Sequence, residues 1–537
     1  MNLLHLKRLT VILLSMVAVQ LWGQEIDPFG PGYPESCTSI MVGKKASTDG
    51  SVMTAHSCDG NYRTWMEIVP GRTFEDGAMH KVYWGTLHTE TAWDMRNLEL
   101  KGEIPEVKET YSYLSVAYPC LNEKQLAIGE TTITGRRELR NTDGLFLIEE
   151  LEKIALERCT TAREAIKLMG ALAEKYGYGD YAECLTVADP KEVWHFEISG
   201  AGTDEKGALW CAQRIPDDHV GVSANISRIS DVDFNNPDFF MTSSDLRERS
   251  KNLKLWDGKA PFKFYQVISG RKPYSRREHF VLSTIAPSLN LTDDMEELPF
   301  SVRPEKKLSP ADVMAFYRAT YEGTEWDMTK NLMVERRSRP GSASEEPSVD
   351  TAKSSVANPW MSNDLMTLLN TLAPGTVTRE RAIAIAGCSY SHVIQCRDWL
   401  PDEVGAVAWL SFDNPGQSPR IPVFSGTLYL PESFKICGQH RYRTDAALWS
   451  YREANRLATV NWGRGRELIE PEVMAFEKKG FEEMPMVEEK VKKLVAEGKN
   501  DEAREYVTDY TNNFAFATMK RWEALKGELW HMFGRGF

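Results

Sequence analysis

Cys37 heads a strand-like run over residues 37–42, and Asp59 lies just past a second one over residues 51–57. Both runs have the composition of strands, and the polar stretch between them ends in Asp49-Gly50, a strong turn dipeptide. The spacing predicts a hairpin that brings Asp59 back toward Cys37. A thiol beside a carboxylate does little alone. The pair becomes chemically competent if Cys37 is the first residue of the mature chain. An N-terminal cysteine carries a nucleophile and a base together, because a free α-amine has a reference pKa of about 7.7–8 and can accept the thiol proton. The structural alternatives are a disulfide half or a small core residue for Cys37, and a turn cap before Gly60 for Asp59.

The residues before Cys37 fit such processing. Residues 1–23 carry Lys7 and Arg8, a largely apolar run and then small Gly23, the pattern of a secretory signal. The run is too short and too early for a membrane span. Residues 24–36 are rich in proline and glycine without periodicity, which reads as an extended pro-segment or a loose mature N-terminus. Export, to a periplasm or to the medium, is the expected localisation.

The chain has 537 residues, 42% hydrophobic and 26% charged, ordinary values for a globular protein with a large core. A net charge of -13 argues against nucleic acid or an anionic membrane surface as partner. No later segment has 18 uninterrupted apolar residues, so no membrane association of the mature chain is expected. The nine cysteines include no CxxC and no Cys/His cluster with zinc spacing. Neither a metal nor a cofactor is therefore expected. In an exported protein the odd count suggests one free thiol; the other eight could pair or stay reduced.

The elements around these residues alternate in type. Strand patterns cover 62–69, 110–117 and 126–132. Leu145, Ile148, Leu151 and Ile154 then recur at helical spacing, and Thr161 with Glu164 forms a capping box for a second helix ending near Gly177. Four more strands are predicted at 184–188, 192–198, 208–214 and 219–226, and a helix at 308–321 starts from Ser309-Pro310. Residues 338–355, rich in Ser, Pro and Glu, read as an exposed loop. Strands return at 391–397, 405–412 and 421–429, and the rest is helical and charged. This order predicts an α+β fold, with helices packed on a largely antiparallel sheet covered on both faces.

Four segments together resemble the dipeptidase A family: residues 37–60, residues 122–132, Ala224-Asn225, and residues 388–397. These are cysteine peptidases of the N-terminal-nucleophile hydrolases, akin to bile-salt hydrolase and penicillin V acylase. The resemblance runs from Cys37 to about residue 440. It implies an αββα four-layer sandwich over residues 37–440, with residues 441–537 as a helical C-terminal extension. It also implies dipeptide substrates, no cofactor, and Cys37 as nucleophile. Self-association into a homo-oligomer is left open.

The resemblance assigns further roles. Asp59 is similar to the aspartate that orients the α-amine. Asn225 resembles the oxyanion-hole asparagine; its structural alternative is a strand-end Asn. Thr132 falls where relatives have an asparagine of the same hole, so only its backbone N–H could serve there. His56 stands where the acylase relatives have an arginine; its alternative is a satisfied strand histidine. Arg228 and Arg397 are candidates to hold a substrate carboxylate by a bidentate contact, or are ion-pair partners. His392 sits in a predicted strand, and a lining histidine is the default there. No GxSxG elbow, HExxH helix or P-loop occurs. A dipeptidase is the expected activity. An acylase on other amides, or a secreted binding protein on the same scaffold, is the alternative.

Overall fold

The computed structural model describes residues 36–204, 206–337 and 349–534. The expected signal and pro-segment lie outside the described residues, except Ser36. The strands are β1 (Ser36–Val42), β2 (Val52–Asp59), β3 (Glu67–Val69), β4 (Met79–Trp84), β5 (Glu99–Pro105), β6 (Tyr113–Ser115), β7 (Leu121–Asn122), β8 (Ala127–Ile133), β9 (Ala182–Ala188) and β10 (Val193–Gly200). They continue with β11 (Ala208–Arg214), β12 (Val220–Ser223), β13 (Phe240–Thr242), β14 (Ser301–Val302), β15 (Met333–Arg337), β16 (Val349–Lys353), β17 (Cys388–Cys396), β18 (Ala406–Phe412) and β19 (Ile421–Phe424).

Two large sheets dominate. One has the order β14-β12-β1-β2-β17-β18-β19 and the other β13-β11-β10-β9-β8-β7-β6-β3. Successive strands in each pair antiparallel. The sheets face each other where β1 and β2 lie over β8 and β9. Polar pairs cross this interface: Ser39 Oγ donates to the Glu130 carbonyl at 3.0 Å, and the Thr54 and Thr186 hydroxyls lie 2.6 Å apart. Buried polar atoms must find such partners, and these pairs fix how the sheets slide over one another.

Helices cover the outer faces. On the second sheet lie α1 (Ile148–Arg158) and α2 (Ala162–Tyr176). The Thr161–Glu164 capping box predicted from sequence starts α2, and Gly177, at φ 87°, closes it. Gly170 meets the Trp210 ring of β11 so closely that a Cβ would lie 2.4 Å from it. The first sheet is covered by α3 (Arg276–Ile285), α4 (Pro310–Tyr317), α5 (Ala447–Thr459), α6 (Trp462–Ala496) and α7 (Asn500–Phe533). Trp409 of β18 packs against Phe481 on α6, with ring centroids 4.6 Å apart and planes tilted by 45°. Among the described residues no helix is long and apolar enough to cross a membrane.

The structure revises several expectations. The strand read at 62–69 is only β3, and that at 110–117 only β6. The expected loop at 338–355 ends in β16, which pairs with β15; its residues 338–348 lie outside the described residues. The charged C-terminal helices carry a buried seam as well, with Val487, Val491, Leu494, Ala503 and Val507 in the core. The hairpin of β4 and β5 and helix α3 have no counterpart in the pattern reading, and α3 matters for the site.

Candidate active site

The β1–β2 hairpin forms as the sequence predicts, with Cys37 opposite Cys58 and Ser36 opposite Asp59. Gly50 closes the turn at φ 88°, a conformation that favours glycine. On the far side of β2, β17 places Tyr390 opposite Cys58 and His392 opposite His56. Cys37 therefore lies near the start of β1, paired with β2 but before the first β12 pair at Ser39, and is completely buried. Its thiol is pushed well up, first by burial, then by the Cys58 thiol and the charges of Glu130 and Asp59. A thiol in this setting stays protonated until a base takes its proton.

Asn225 follows β12 at φ 65°, a left-handed conformation that Asn tolerates better than most residues. The turn aims its side chain at Cys37. Asn225 Oδ1 accepts the Cys37 backbone N–H at 2.9 Å, and Asn225 Nδ2 donates to the Thr132 carbonyl at 2.7 Å. It is thus the carbonyl of Thr132, not its N–H, that faces Asn225. The Thr132 hydroxyl donates to Glu130 Oε1 at 3.2 Å.

Asp59 is buried and ion-paired. Arg381 Nη2 lies 2.7 Å from Asp59 Oδ2 and 2.6 Å from Ser36 Oγ. The other carboxylate oxygen, Oδ1, has no hydrogen-bond partner among the described residues. Arg277, near the start of α3, donates to the carbonyl of Cys37 and, at 2.9 Å, to Asn225 Oδ1. It also reaches Thr38 Oγ1 at 3.0 Å and the Ala224 carbonyl at 3.0 Å. Burial, with nearby Arg381 adding to it, lowers Arg277 to about 10, which leaves it charged at neutral pH. The neighbouring Glu278 accepts the Ala224 N–H at 2.8 Å, so α3 clamps the turn that bears Asn225.

His56 is wholly buried. Its Nδ1 lies 2.6 Å from the Glu130 carbonyl, and its Nε2 has no partner among the described residues. Burial drives it down to about 3, so the imidazole is neutral. Its ring centroid is 5.4 Å from that of His392, which burial and His56 also push well down. Cys37, His56 and Glu130 offer ligand atoms within 4.8 Å of one another, close enough to hold a metal ion. Spacing in the sequence gave no sign of this group.

The two arginines singled out from the sequence are not brought to Cys37. Arg397 follows β17 at the end remote from Tyr390, roughly 20 Å along the strand from the thiol at ~3.3 Å per residue. Its guanidinium is spent on Glu488 and the Val404 and Gly405 carbonyls. Arg228 is buried, with its amino groups on the Pro273 and Pro299 carbonyls. Both are structural because the fold supplies them with partners away from solvent. Arg277 and Arg381 were missed. Ser275 and Glu278, spaced as a capping box, could have revealed α3; there the Ser275 N–H donates to Glu278 at 2.8 Å. Nothing local marks Arg381. All nine cysteines are buried and unpaired, with no disulfide among the described residues.

A cavity of about 380 Å³ adjoins this edge, lined among others by Trp360, Met361, Arg379, Glu380, Arg381 and Gly387. Gly387 accepts the Gly60 N–H, one residue past Asp59. Arg381 thus links the cavity to Asp59 and Ser36.

Comparison with known proteins identifies relatives of this chain. The chain is 28% identical over 420 residues to a probable dipeptidase of Latilactobacillus sakei, covering 74% of this chain and 76% of that protein. It is 22% identical over 473 residues to dipeptidase A of Lactobacillus helveticus, covering 86% and 88%. A probable dipeptidase of Salmonella dublin is 24% identical over 419 residues, covering 74% and 82%. The model of peptidase family C69 matches residues 36–473, beginning one residue before Cys37 and running into α6. The chain belongs to peptidase family C69.

Proposed function

We propose that this protein is an exported dipeptidase of the N-terminal-nucleophile hydrolase class, acting through Cys37 once residues 1–36 are removed. The carrying observation is the environment of the Cys37 nitrogen. Asn225 Oδ1 holds it at 2.9 Å, and Asp59, with one unpartnered buried oxygen, stands opposite the preceding residue. A strand amide has one N–H to donate and needs one acceptor. An α-amine released at that point needs two. The two facing sheets with helices outside support the αββα sandwich of that class, and the dipeptidase relatives support the substrate class. The signal-like residues 1–23 support export to a periplasm or the medium, and the complete burial of Cys37 while residue 36 is attached supports a zymogen.

In the mature enzyme the Cys37 amine takes the thiol proton, directly or through water, while Asp59 and Asn225 hold that amine in place. The thiolate attacks the substrate carbonyl. The second Nδ2 hydrogen of Asn225 stabilises the oxyanion, while the Thr132 carbonyl fixes the amide plane. The protonated amine delivers its proton to the leaving nitrogen, and a thioester remains. Water, deprotonated by the amine, releases the acid. The neutral His56 packs the thiol and brings no charge to it. The cavity beside Arg381 receives the substrate; its volume is within the range of small-molecule sites, roughly 300–1,000 Å³. Its charges of both signs suit a zwitterionic dipeptide.

The test is the intact mass of the purified secreted protein, with hydrolysis assays on free dipeptides and N-acylated amino acids. A chain beginning at Cys37 that cleaves free dipeptides is expected. An active chain beginning upstream of Cys37 would overturn the mechanism. Preference for acylated amino acids would replace dipeptidase by acylase.

A further inference from the structure

We propose that Glu130 is the general base for self-cleavage of the Ser36–Cys37 bond, a step that precedes the dipeptidase activity and uses a different base. This rests on the N-terminal-cysteine reading above. That reading leaves a gap. Before cleavage the Cys37 nitrogen is an amide whose N–H is donated to Asn225, so it cannot accept the thiol proton. Burial keeps the thiol protonated. Some other group must activate it.

Few groups are within reach. The Glu130 carboxylate and a His56 nitrogen share the space around Cys37 Sγ, with ligand atoms within 4.8 Å of one another. The Cys58 thiol is opposite, pushed up to about 11 by burial, and is no base. Asp59 Oδ2 is engaged by Arg381 and by the Ser57 hydroxyl, and its unpartnered Oδ1 belongs to a carboxylate outside that 4.8 Å group. The choice is between Glu130 and His56, and charge decides it. Transfer to neutral His56 would create an imidazolium and a thiolate in a dry site, two new charges to desolvate. Transfer to an ionised Glu130 moves one negative charge from oxygen to sulfur and creates none.

The structure keeps Glu130 suited to this role. Its backbone is pinned across the sheets, the carbonyl accepting from Ser39 Oγ and His56 Nδ1. Its Oε1 accepts from Thr132, while Oε2 is buried with no hydrogen-bond partner among the described residues. Glu183 lies beside it and is pushed well up by burial and then by the charge of Glu130, so it holds the pair's proton. Glu130 is left as the ionised member, itself raised by burial and so ready to accept a proton.

The step balances. Glu130 takes the Sγ proton, and sulfur adds to the Ser36 carbonyl carbon. The developing oxyanion lies beside Arg381 Nη2, which is 3.5 Å from the Ser36 oxygen. Its collapse breaks the Ser36–Cys37 C–N bond, and the leaving nitrogen takes the proton from Glu130. The products are a free α-amine on Cys37 and a thioester from Ser36 to Sγ. Water hydrolyses that thioester, with the new amine taking the water proton. Residues up to Ser36 leave as a carboxylate and the thiol is restored.

The experiment follows full-chain precursor, made by cell-free translation from purified components, by intact mass over time. Wild type is expected to lose residues up to Ser36. Glu130→Gln, which keeps size and removes the proton acceptor, is expected to be cut at least a hundredfold more slowly, with its thermal midpoint showing a folded chain. Glu130→Asp keeps the charge but withdraws it by one methylene, and is expected to be cut at least tenfold more slowly. It decides the matter if the Gln variant does not fold. Cleavage of either folded variant at the wild-type rate overturns the role of Glu130 and leaves the N-terminal-cysteine reading standing. Wild-type chain that hydrolyses dipeptides with residues before Cys37 still attached overturns that reading itself.

Discussion

Asp59 and Arg381 form a buried ion pair, 2.7 Å between Oδ2 and Nη2, and the same guanidinium grips Ser36 on the far side of the bond to Cys37. Arg381 brings its guanidinium to Asp59 from a distant segment of the chain. The pair sits at the end of β2, where β17 also joins through Cys388. One charge network therefore links the strand of Cys37, Asp59 and the adjoining cavity.

Removing one partner of such a pair leaves the other charge buried alone, which costs about 3–5 kcal/mol. Arg381→Ala is expected to lose that much stability in urea unfolding. Arg381→Lys, which keeps the charge without the fork, should lose less. Equal stability of Arg381→Ala and wild type would mean that the ion pair contributes nothing to holding this edge.

Asn225 combines an unusual backbone with a specific side chain, and two substitutions separate them. Asn225→Gly keeps the φ of 65° without strain, whereas Asn225→Ala adds about 1–2 kcal/mol of left-handed strain. Both remove the hold on the Cys37 nitrogen. Both are expected to lower turnover about 10²–10³-fold while remaining folded, with Ala the less stable of the two. Wild-type turnover in folded Asn225→Gly would remove Asn225 from the chemistry.

The buried neutral His56 makes stability depend on pH with a definite sign. Unfolded, a histidine titrates near ~6.5, whereas in the fold burial lowers His56 to about 3. Between these values the unfolded chain binds more protons, so stability rises with pH and is lost as pH falls through the window. The slope for one such group approaches about 1.4 kcal/mol per pH unit. His56→Gln is expected to lose about 2–3 kcal/mol less than wild type between pH 6.5 and 4.5, read from urea midpoints. Identical losses would mean that His56 titrates in the fold as it does in the unfolded chain.

Substrate recognition should depend on a free carboxylate and on the cavity. Arg379 lines it, half-buried and with no ion-pair partner among the described residues. A charged hydrogen bond is worth about 1.5–3 kcal/mol, so amidating a good dipeptide should lower kcat/KM roughly 10–150-fold. Arg379→Ala should raise KM for the free dipeptide and leave the amide unaffected. Arg397→Ala should lose stability, through Glu488, and keep kcat/KM. Equal hydrolysis of acid and amide would show that the carboxylate is not read.

Much of the local structure was legible. Two short runs of strand composition and the Asp49-Gly50 turn between them specify the β1–β2 hairpin, and with it the approach of Asp59 to Cys37, because pairing between neighbouring strands is set by the turn. Thr161 with Glu164, and Ser309 with Pro310, place two helix starts because capping is a matter of a few consecutive residues. Cys37, Asp59 and Asn225 could be named from their segments. What the sequence did not disclose is which distant residues complete the site. Arg277 reaches Cys37 across 240 positions, and Arg381 reaches Ser36 across 345. Glu130 approaches from the opposite sheet, and β17 inserts beside β2 far later in the chain. Arg228 and Arg397 are arginines like Arg381, yet the fold surrounds them with carbonyls or a carboxylate elsewhere. Local pattern determines which face of a strand or helix is apolar. Which buried charge meets which depends on sheet order, register and the packing of one layer on another, and only the tertiary structure decides those.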